Sequence, residues 1–215
     1  KARARPDLVR KVVEKVRRDG PVAAARAAFA RLDRPQPLGY SCAGVVVEAG
    51  EGVQDLSPGD RVACAGAGWA NHAELNAVPR ALCARVPAGL PLDEAAFATL
   101  GAIALHGVRT AGVQVGERVA VIGLGLIGQI AAQVARAHGA KVLGVDPDRA
   151  RAEVARRLSC DAVASPRDAT RAGAQLSSGR GFDAVVICAA SESAEPLEVA
   201  AELARDRARV VAVGD

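Results

Sequence analysis

Residues 119–146 constrain this chain more than any other segment: Val119-Ala-Val-Ile-Gly123-Leu-Gly125-Leu-Ile-Gly128-Gln, an amphipathic stretch, then Lys141-Val-Leu-Gly-Val-Asp146. The order reads as strand, glycine turn, helix, strand and acid, a unit that binds dinucleotides. Each glycine has a physical reason at its position. Gly123 permits the tight turn, Gly125 lets a pyrophosphate approach the backbone, and Gly128 lets the helix pack closely on the strand. The free N–H groups of Leu126 and Ile127 would hold that pyrophosphate at the helix start, where the macrodipole favours negative charge. Asp146 stands where an acid ending the second strand accepts hydrogen bonds from the adenosine ribose. A carboxylate there repels a 2′-phosphate, so NAD(H) is expected over NADP(H), although Arg149 and Arg151 offer a phosphate some compensation. Asp146 can also be read as a helix N-cap, with Pro147 at the first helical position.

The alternation continues past Asp146. Helices are expected over 149–158, 166–178 and 193–205, and strands over 161–164, 183–189 and 209–213. With strands 119–122 and 141–145 these make five strands joined by helical crossovers. Right-handed crossovers then give an α/β fold, a parallel, doubly wound Rossmann sheet of order 3-2-1-4-5. A complete two-half fold has a sixth strand, so this sheet is expected to be cut at its C-terminal edge. Upstream, short β-branched runs at 44–48, 61–64 and 73–78, separated by glycine turns, predict a small barrel-like domain. Residues 93–111 return to helical spacing and lead to the turn Gly116-Glu117-Arg118. The expected organisation is a helix hairpin over 1–35, broken at Asp19-Gly20-Pro21, a partial β-rich domain over 36–95 and a dinucleotide-binding domain over 96–215.

Composition excludes several function classes. The net charge is +4, yet residues 1–18 alone hold eight basic side chains against Asp7 and Glu14, so the basicity belongs to one helix. Its apolar residues Leu8, Val12, Val13 and Val16 recur at helical spacing, which reads as a packed helix with a solvated face. Aromatic residues are nearly absent there, so nucleic acid is not an expected partner. No apolar run reaches the roughly 18 residues of a membrane span, and no signal peptide is seen, so no membrane partner and a cytoplasmic location are expected. The five cysteines, Cys42, Cys64, Cys83, Cys160 and Cys188, are scattered without a Cys-x-x-Cys pair. Most read as small buried side chains, with neither a disulfide framework nor a structural zinc lobe.

Three motifs in order, Gly39-Tyr-Ser-Cys-Ala-Gly44-Val-Val-Val-Glu-Ala-Gly50, Gly59-Asp-Arg-Val62 and Gly116 through Gly128, resemble the medium-chain dehydrogenase/reductase (zinc-type alcohol dehydrogenase-like) family. The resemblance covers residues 36–215. It implies a GroES-like catalytic domain, a Rossmann cofactor domain, a substrate cleft between them, and a chain that is an internal piece of a longer enzyme. The departures matter as much. Where zinc-dependent members carry Gly-His-Glu, this chain has Gly39-Tyr40-Ser41, and a later cysteine ligand is replaced by Ala98. Phenol, hydroxyl and methyl do not make a zinc site, so no metal is expected. The chain thus resembles the zinc-independent branch, and in particular the N-terminal module of bi-domain oxidoreductases, which often serve bacterial polysaccharide synthesis.

Tyr40 replaces the ligand histidine, so its phenol is expected either to donate to a substrate oxygen or to pack with its hydroxyl on backbone. Thr99 stands at a helix start, where it can bond substrate or cap the helix. His72 and His106 are further acid/base candidates, whereas His138 lies at the far end of the dinucleotide helix. By the resemblance, Arg151 approaches the ribose, Cys188, Ala189 and Ala190 lie along the cofactor, and Val213 with Gly214 border the nicotinamide. Helix-to-sheet packing explains the same small residues. The expected function is NAD(H)-dependent, zinc-independent hydride transfer to or from an alcohol or carbonyl, sugar derivatives included. A non-catalytic cofactor-binding module of a larger protein is the alternative. A small-molecule substrate and a homodimer paired through the sheet edge complete the expectations.

Overall fold

The computed structural model of the chain describes residues 16–18, 20–23 and 37–214. Two compact units divide it, 1–38 and 39–215. In the first, residues 16–18 and 21–23 are helical, with Gly20 between them at φ 81°. The rest of the expected hairpin lies outside the described residues. No helix among the described residues is long and apolar enough to cross a membrane.

The second unit opens with an antiparallel sheet of order β1-β2-β3, formed by Ser41–Val45, Arg61–Ala65 and Cys83–Arg85. The first two strands were legible in the sequence, the first displaced by three residues. The third was not: residues 73–78 run as bends and irregular chain, and the sheet is completed by Cys83–Arg85 instead. Asn76 explains part of this, since its amide bonds Asn71 on both sides and closes a local loop. A short helix α1 (Leu92–Ala95) and the longer α2 (Ala98–Thr110) follow.

The remaining elements alternate: β4 (Arg118–Ile122), α3 (Leu126–Ala137), β5 (Lys141–Val145), α4 (Arg149–Leu158), β6 (Ala162–Ala164), α5 (Ala169–Ser177), β7 (Phe182–Ile187), α6 (Glu195–Leu203) and β8 (Ala204–Ala212). They form a parallel sheet of order β6-β5-β4-β7-β8, which is the expected 3-2-1-4-5. Pro166 opens a 3-10 turn, so α5 begins three residues later than its apolar pattern suggests. β8 begins earlier than expected because a register shift and a left-handed Arg207 (φ 62°) carry the pairing past an irregular stretch.

The central strands are apolar almost throughout because both of their faces are covered. Val119, Val121, Val142, Ala184 and Val186 point to one side, against Ala104 and Val108 of α2 and Ala131, Ala132 and Ala135 of α3. Ala120, Ile122, Leu143, Val145, Phe182, Val185 and Ile187 point to the other, against Ala169 of α5 and Val199, Ala200 and Leu203 of α6. Polar side chains tie the open end of the sheet. Arg209 of β8 holds the Glu117 carboxylate with its guanidinium at 2.6 Å and donates to the Gly112 carbonyl. Asp183 accepts from the Arg118 N–H and the Arg205 guanidinium; burial opposes its charge, but these donors hold its carboxyl below the usual range.

Phe182 is fully buried and fills the layer between the sheet and α5–α6, where Gly173 leaves room for its ring. Phe182→Ala is expected to cost about 3–5 kcal/mol of unfolding free energy by denaturant titration, and a loss under about 1 kcal/mol would contradict this packing.

Candidate functional site

Parallel register brings four chain segments to one rim. Ile122 is level with Val145 and Ile187, and Ile187 with Ala212, so the residues that follow these strands gather at the carboxyl edge. They are Gly123, Asp146, Cys188 and Val213, all singled out in the sequence. Ligands of open α/β sheets bind at such an edge, where the strand order reverses.

The glycine turn is as crowded on two sides as it is open on the third. A Cβ on Gly123 (φ 89°) would lie 2.6 Å from the Ala189 nitrogen, so the loop after β7 rests directly on the turn. A Cβ on Gly128 would lie 1.8 Å from the Gly123 carbonyl oxygen, so α3 sits on the turn with no side chain between. Gly125 faces open space, with nothing within 4 Å of its own Cβ position. It is also the N-cap of α3 and offers no side chain to the first turn. The N–H groups of Leu126 and Ile127, in the first turn after Gly125, therefore lack helical partners.

Asp146 is 5% exposed. Its Oδ2 accepts from the Leu124 N–H at 2.7 Å and its Oδ1 from the Asp148 N–H at 2.8 Å, leaving each oxygen capacity for a further donor. The N-cap reading of Asp146 is corrected here: Asp148 caps α4, accepting from Ala150 and Arg151. Arg151 keeps an exposed guanidinium near Asp148, at 3.7 Å. Gln129, which sequence reasoning missed, donates to the carbonyls of Leu124 (3.1 Å) and Arg151 (2.8 Å) and so bridges the glycine turn to α4. Its signal was a polar residue directly after the third glycine between Ile127 and Ile130, but its partner on α4 required the fold.

Burial pushes the Cys188 thiol up to about 11, so this wall of the rim is uncharged. Ala189 touches the turn and Ala190 is exposed beyond it. Val213 donates its N–H to the Ile187 carbonyl and packs on Gly107 of α2, where a Cβ would come within 2.5 Å of it. Gly214 follows at φ 121°.

The other residues singled out lie around the small sheet and α2, which packs against β1, β2 and α3. Thr99 does not cap α2: Phe97 is the N-cap, and the Thr99 hydroxyl donates to the Cys64 carbonyl of β2 at 3.3 Å. Ser41 makes the matching link from β1 to the Ala96 carbonyl. Tyr40 accepts the Gly66 N–H through its carbonyl, and the residue is 40% exposed, without the backbone bond that a packed phenol would make. His72 lies with its ring against Gly39, His106 is exposed on α2, and His138 closes the far end of α3 on the Val134 carbonyl. Among the described residues, no three His, Cys, Asp or Glu side chains converge to hold a metal ion.

The two crowded and open glycines separate folding from ligand approach. Gly128→Ala is expected to lower stability by about 1–3 kcal/mol, since backbone must move. Gly125→Ala, at an ordinary φ of −68° with open space beside it, is expected to cost no more than about 1 kcal/mol by thermal unfolding, the preference of an N-cap for Gly over Ala. Equal losses at both positions would contradict the geometry.

Comparison with known proteins agrees with this arrangement. Residues 17–89 match the alcohol dehydrogenase GroES-like domain, and residues 127–215 match the zinc-binding dehydrogenase family. D-guloside 3-dehydrogenase of Escherichia coli is 38% identical over 130 residues, 60% of this chain and 37% of that protein. 2-Dehydro-3-deoxy-L-galactonate 5-dehydrogenase of Pseudoalteromonas atlantica is 28% identical over 211 residues, 85% of this chain and 61% of that protein. This chain thus spans less than two thirds of either relative. Among solved structures, the alcohol dehydrogenase TADH of Thermus sp. ATN1 superposes with a TM-score of 0.73 at 26% identity, covering 89% of this chain and 66% of its own. A Sinorhizobium meliloti protein, provisionally named a zinc-binding dehydrogenase and bound to NADP, gives 0.72 at 28%, covering 84% and 61%. With both domain families matched in order on the shared fold, the chain belongs to the medium-chain dehydrogenase/reductase, zinc-type alcohol dehydrogenase-like superfamily.

Proposed function

We propose that this chain supplies the cofactor site and part of the substrate site of an NAD(H)-dependent oxidoreductase that interconverts an alcohol and a carbonyl, with a sugar derivative as substrate. The observation that carries this reading is the rim itself: open space at Gly125, unpaired N–H groups at the start of α3, and the buried Asp146 carboxylate beside them. In this reading residues 36–95 form the GroES-like lobe and residues 96–215 the cofactor lobe. The sugar-acting relatives support the substrate class.

The residues divide the work by chemistry. The N–H groups of Leu126 and Ile127, with the α3 dipole, hold the pyrophosphate. The free capacity of Asp146 takes the ribose hydroxyls, and its charge, held rigidly by Leu124 and Asp148, disfavours a 2′-phosphate. That favours NAD(H), against the NADP seen with the Sinorhizobium protein. Ala189 and Ala190 leave the cofactor's path unobstructed, and Val213 with Gly214 border its nicotinamide end. The bound nicotinamide supplies or accepts the hydride. Tyr40 has a phenol free to donate a proton to the substrate oxygen. Thr99 has its own hydrogen engaged by the Cys64 carbonyl, so its oxygen acts as an acceptor that orients a substrate hydroxyl.

No catalytic zinc enters this mechanism. At the positions where the family's metal ligands stand, the donor set here is phenol, hydroxyl and methyl, from Tyr40, Ser41 and Ala98, which does not fit the ion. Cytoplasmic action and pairing of two copies along the β8 edge complete the proposal.

In a titration followed by nicotinamide fluorescence, Asp146→Ser is expected to weaken NADH binding about tenfold or more while leaving NADPH binding equal or tighter, by release of charge repulsion. Unchanged preference would overturn the role of Asp146. With a panel of sugar alcohols and ketoses on the full-length protein, Tyr40→Phe is expected to lower kcat about 10²- to 10⁴-fold without loss of cofactor binding. Tight NADH binding without turnover on any substrate would favour a non-catalytic cofactor-binding module.

A further inference from the structure

Three cysteines that are far apart in the chain line up across the small sheet. Cys42 of β1 is level with Cys64 of β2, and Cys64 with Cys83 of β3, so the three side chains share one face. That face opens onto a groove of about 690 Å³, lined also by Trp69, Val46 and Val78. All five cysteines are free thiols.

The two neighbouring pairs are not equivalent. The ladder bond from the Val86 N–H to the Arg61 carbonyl makes 61/86 and, by alternation, 63/84 the hydrogen-bonded positions. Cys64 and Cys83 therefore face each other at a non-hydrogen-bonded position, where strands bring side chains closest. Their sulfurs are 3.7 Å apart. The bonds Gly66 N–H to Tyr40 and Val46 N–H to Asp60 make Cys42/Cys64 a hydrogen-bonded position, with Cα atoms about 1 Å further apart. The Cys42 sulfur is in addition held by the Asn76 amide at 3.8 Å. Disulfides need Cβ atoms about 3.5–4.5 Å apart, and a non-hydrogen-bonded pair, at the near end of the roughly 4.5–5.5 Å spacing of facing residues, is the strand position closest to that.

We infer that Cys64 and Cys83 form a reversible oxidation site, closing a cross-strand disulfide when the protein meets a peroxide. Cys83 is the more open of the two, its thiol reaching the Pro79 carbonyl at 3.5 Å on the outer side of the sheet edge, and reacts first. Burial pushes the Cys64 thiol up to about 12, which leaves it protonated while Cys83 reacts. The Cys83 thiolate attacks hydrogen peroxide, the O–O bond breaks, hydroxide leaves and a sulfenic acid forms. The Cys64 sulfur then attacks that of Cys83, the S–O bond breaks, and the Cys64 proton leaves with the departing oxygen as water. Two thiols and one peroxide thus give one disulfide and two waters; a dithiol reductant reverses the step. The bridge closes residues 65–82 into a ring that holds Trp69, the sole tryptophan, against the groove.

The full chain is treated with hydrogen peroxide, its remaining thiols are blocked with N-ethylmaleimide, and peptides are mapped without reduction. The expected result is a mass loss of about 2 Da, a Cys64–Cys83 linked peptide, and blocked Cys42, Cys160 and Cys188. Trp69 fluorescence shifts with the same time course and returns with dithiothreitol. Cys42→Ser keeps the mass loss and Cys83→Ser removes it. A Cys42–Cys64 link in the unmutated chain would overturn the inference, as would Cys83 accumulating as sulfinic acid beside a free Cys64. The mapping on the unmutated chain stands even if a variant fails to fold.

Discussion

The contact between Gly128 and the Gly123 carbonyl is the constraint on which the rest of the site depends. With no side chain between them, α3 starts against the tip of β4, and its unpaired N–H groups reach the sheet edge. A larger residue at Gly128 would lift the helix start away from the rim. The same turn presents the Leu124 N–H to Asp146 and the Leu124 carbonyl to Gln129. The acid and α4 are thereby indexed to the turn rather than to solvent. One close approach thus sets the position of the dipole, the carboxylate and the loop after β7 together.

The second constraint is the seam carried by α2. Its start is joined to β2 through Thr99 and its entry to β1 through the Ser41 bond to Ala96, while Gly107 receives Val213 at the end of β8. One helix therefore touches both sheets, and the separation of Tyr40 and Thr99 from the rim is set by rigid elements. Because Thr99 spends its hydrogen on β2, its chemistry is already restricted to accepting. Tyr40 carries no such commitment, which is why the two residues have different parts in the proposed reaction.

Much of the parallel sheet with its helices was legible because its rules are local. Buried parallel strands read as continuous apolar runs, the crossovers as periodic helices, and their handedness leaves one strand order. The small sheet was less legible. Its strands are short, and Ala73–Val78 has the composition of a strand but is drawn into a loop by Asn76, while Cys83–Arg85, with hardly any pattern, pairs because β2 has an open edge. Asp146 and Asp148 show the same limit at the scale of one residue: either acid could have capped α4, and only the path of the chain after β5 assigns the cap to Asp148.

The amino-acid sequence by itself determined the sheet order, the glycine turn and the acid that follows it, since these depend on spacing along the chain and on backbone conformations open only to glycine. Tertiary structure alone decided what crosses between segments: the Gln129 bridge, the Thr99 bond to Cys64, and the cysteine row. These are contacts between residues 19 to 35 positions apart, set by strand register and helix packing, and no local pattern encodes them.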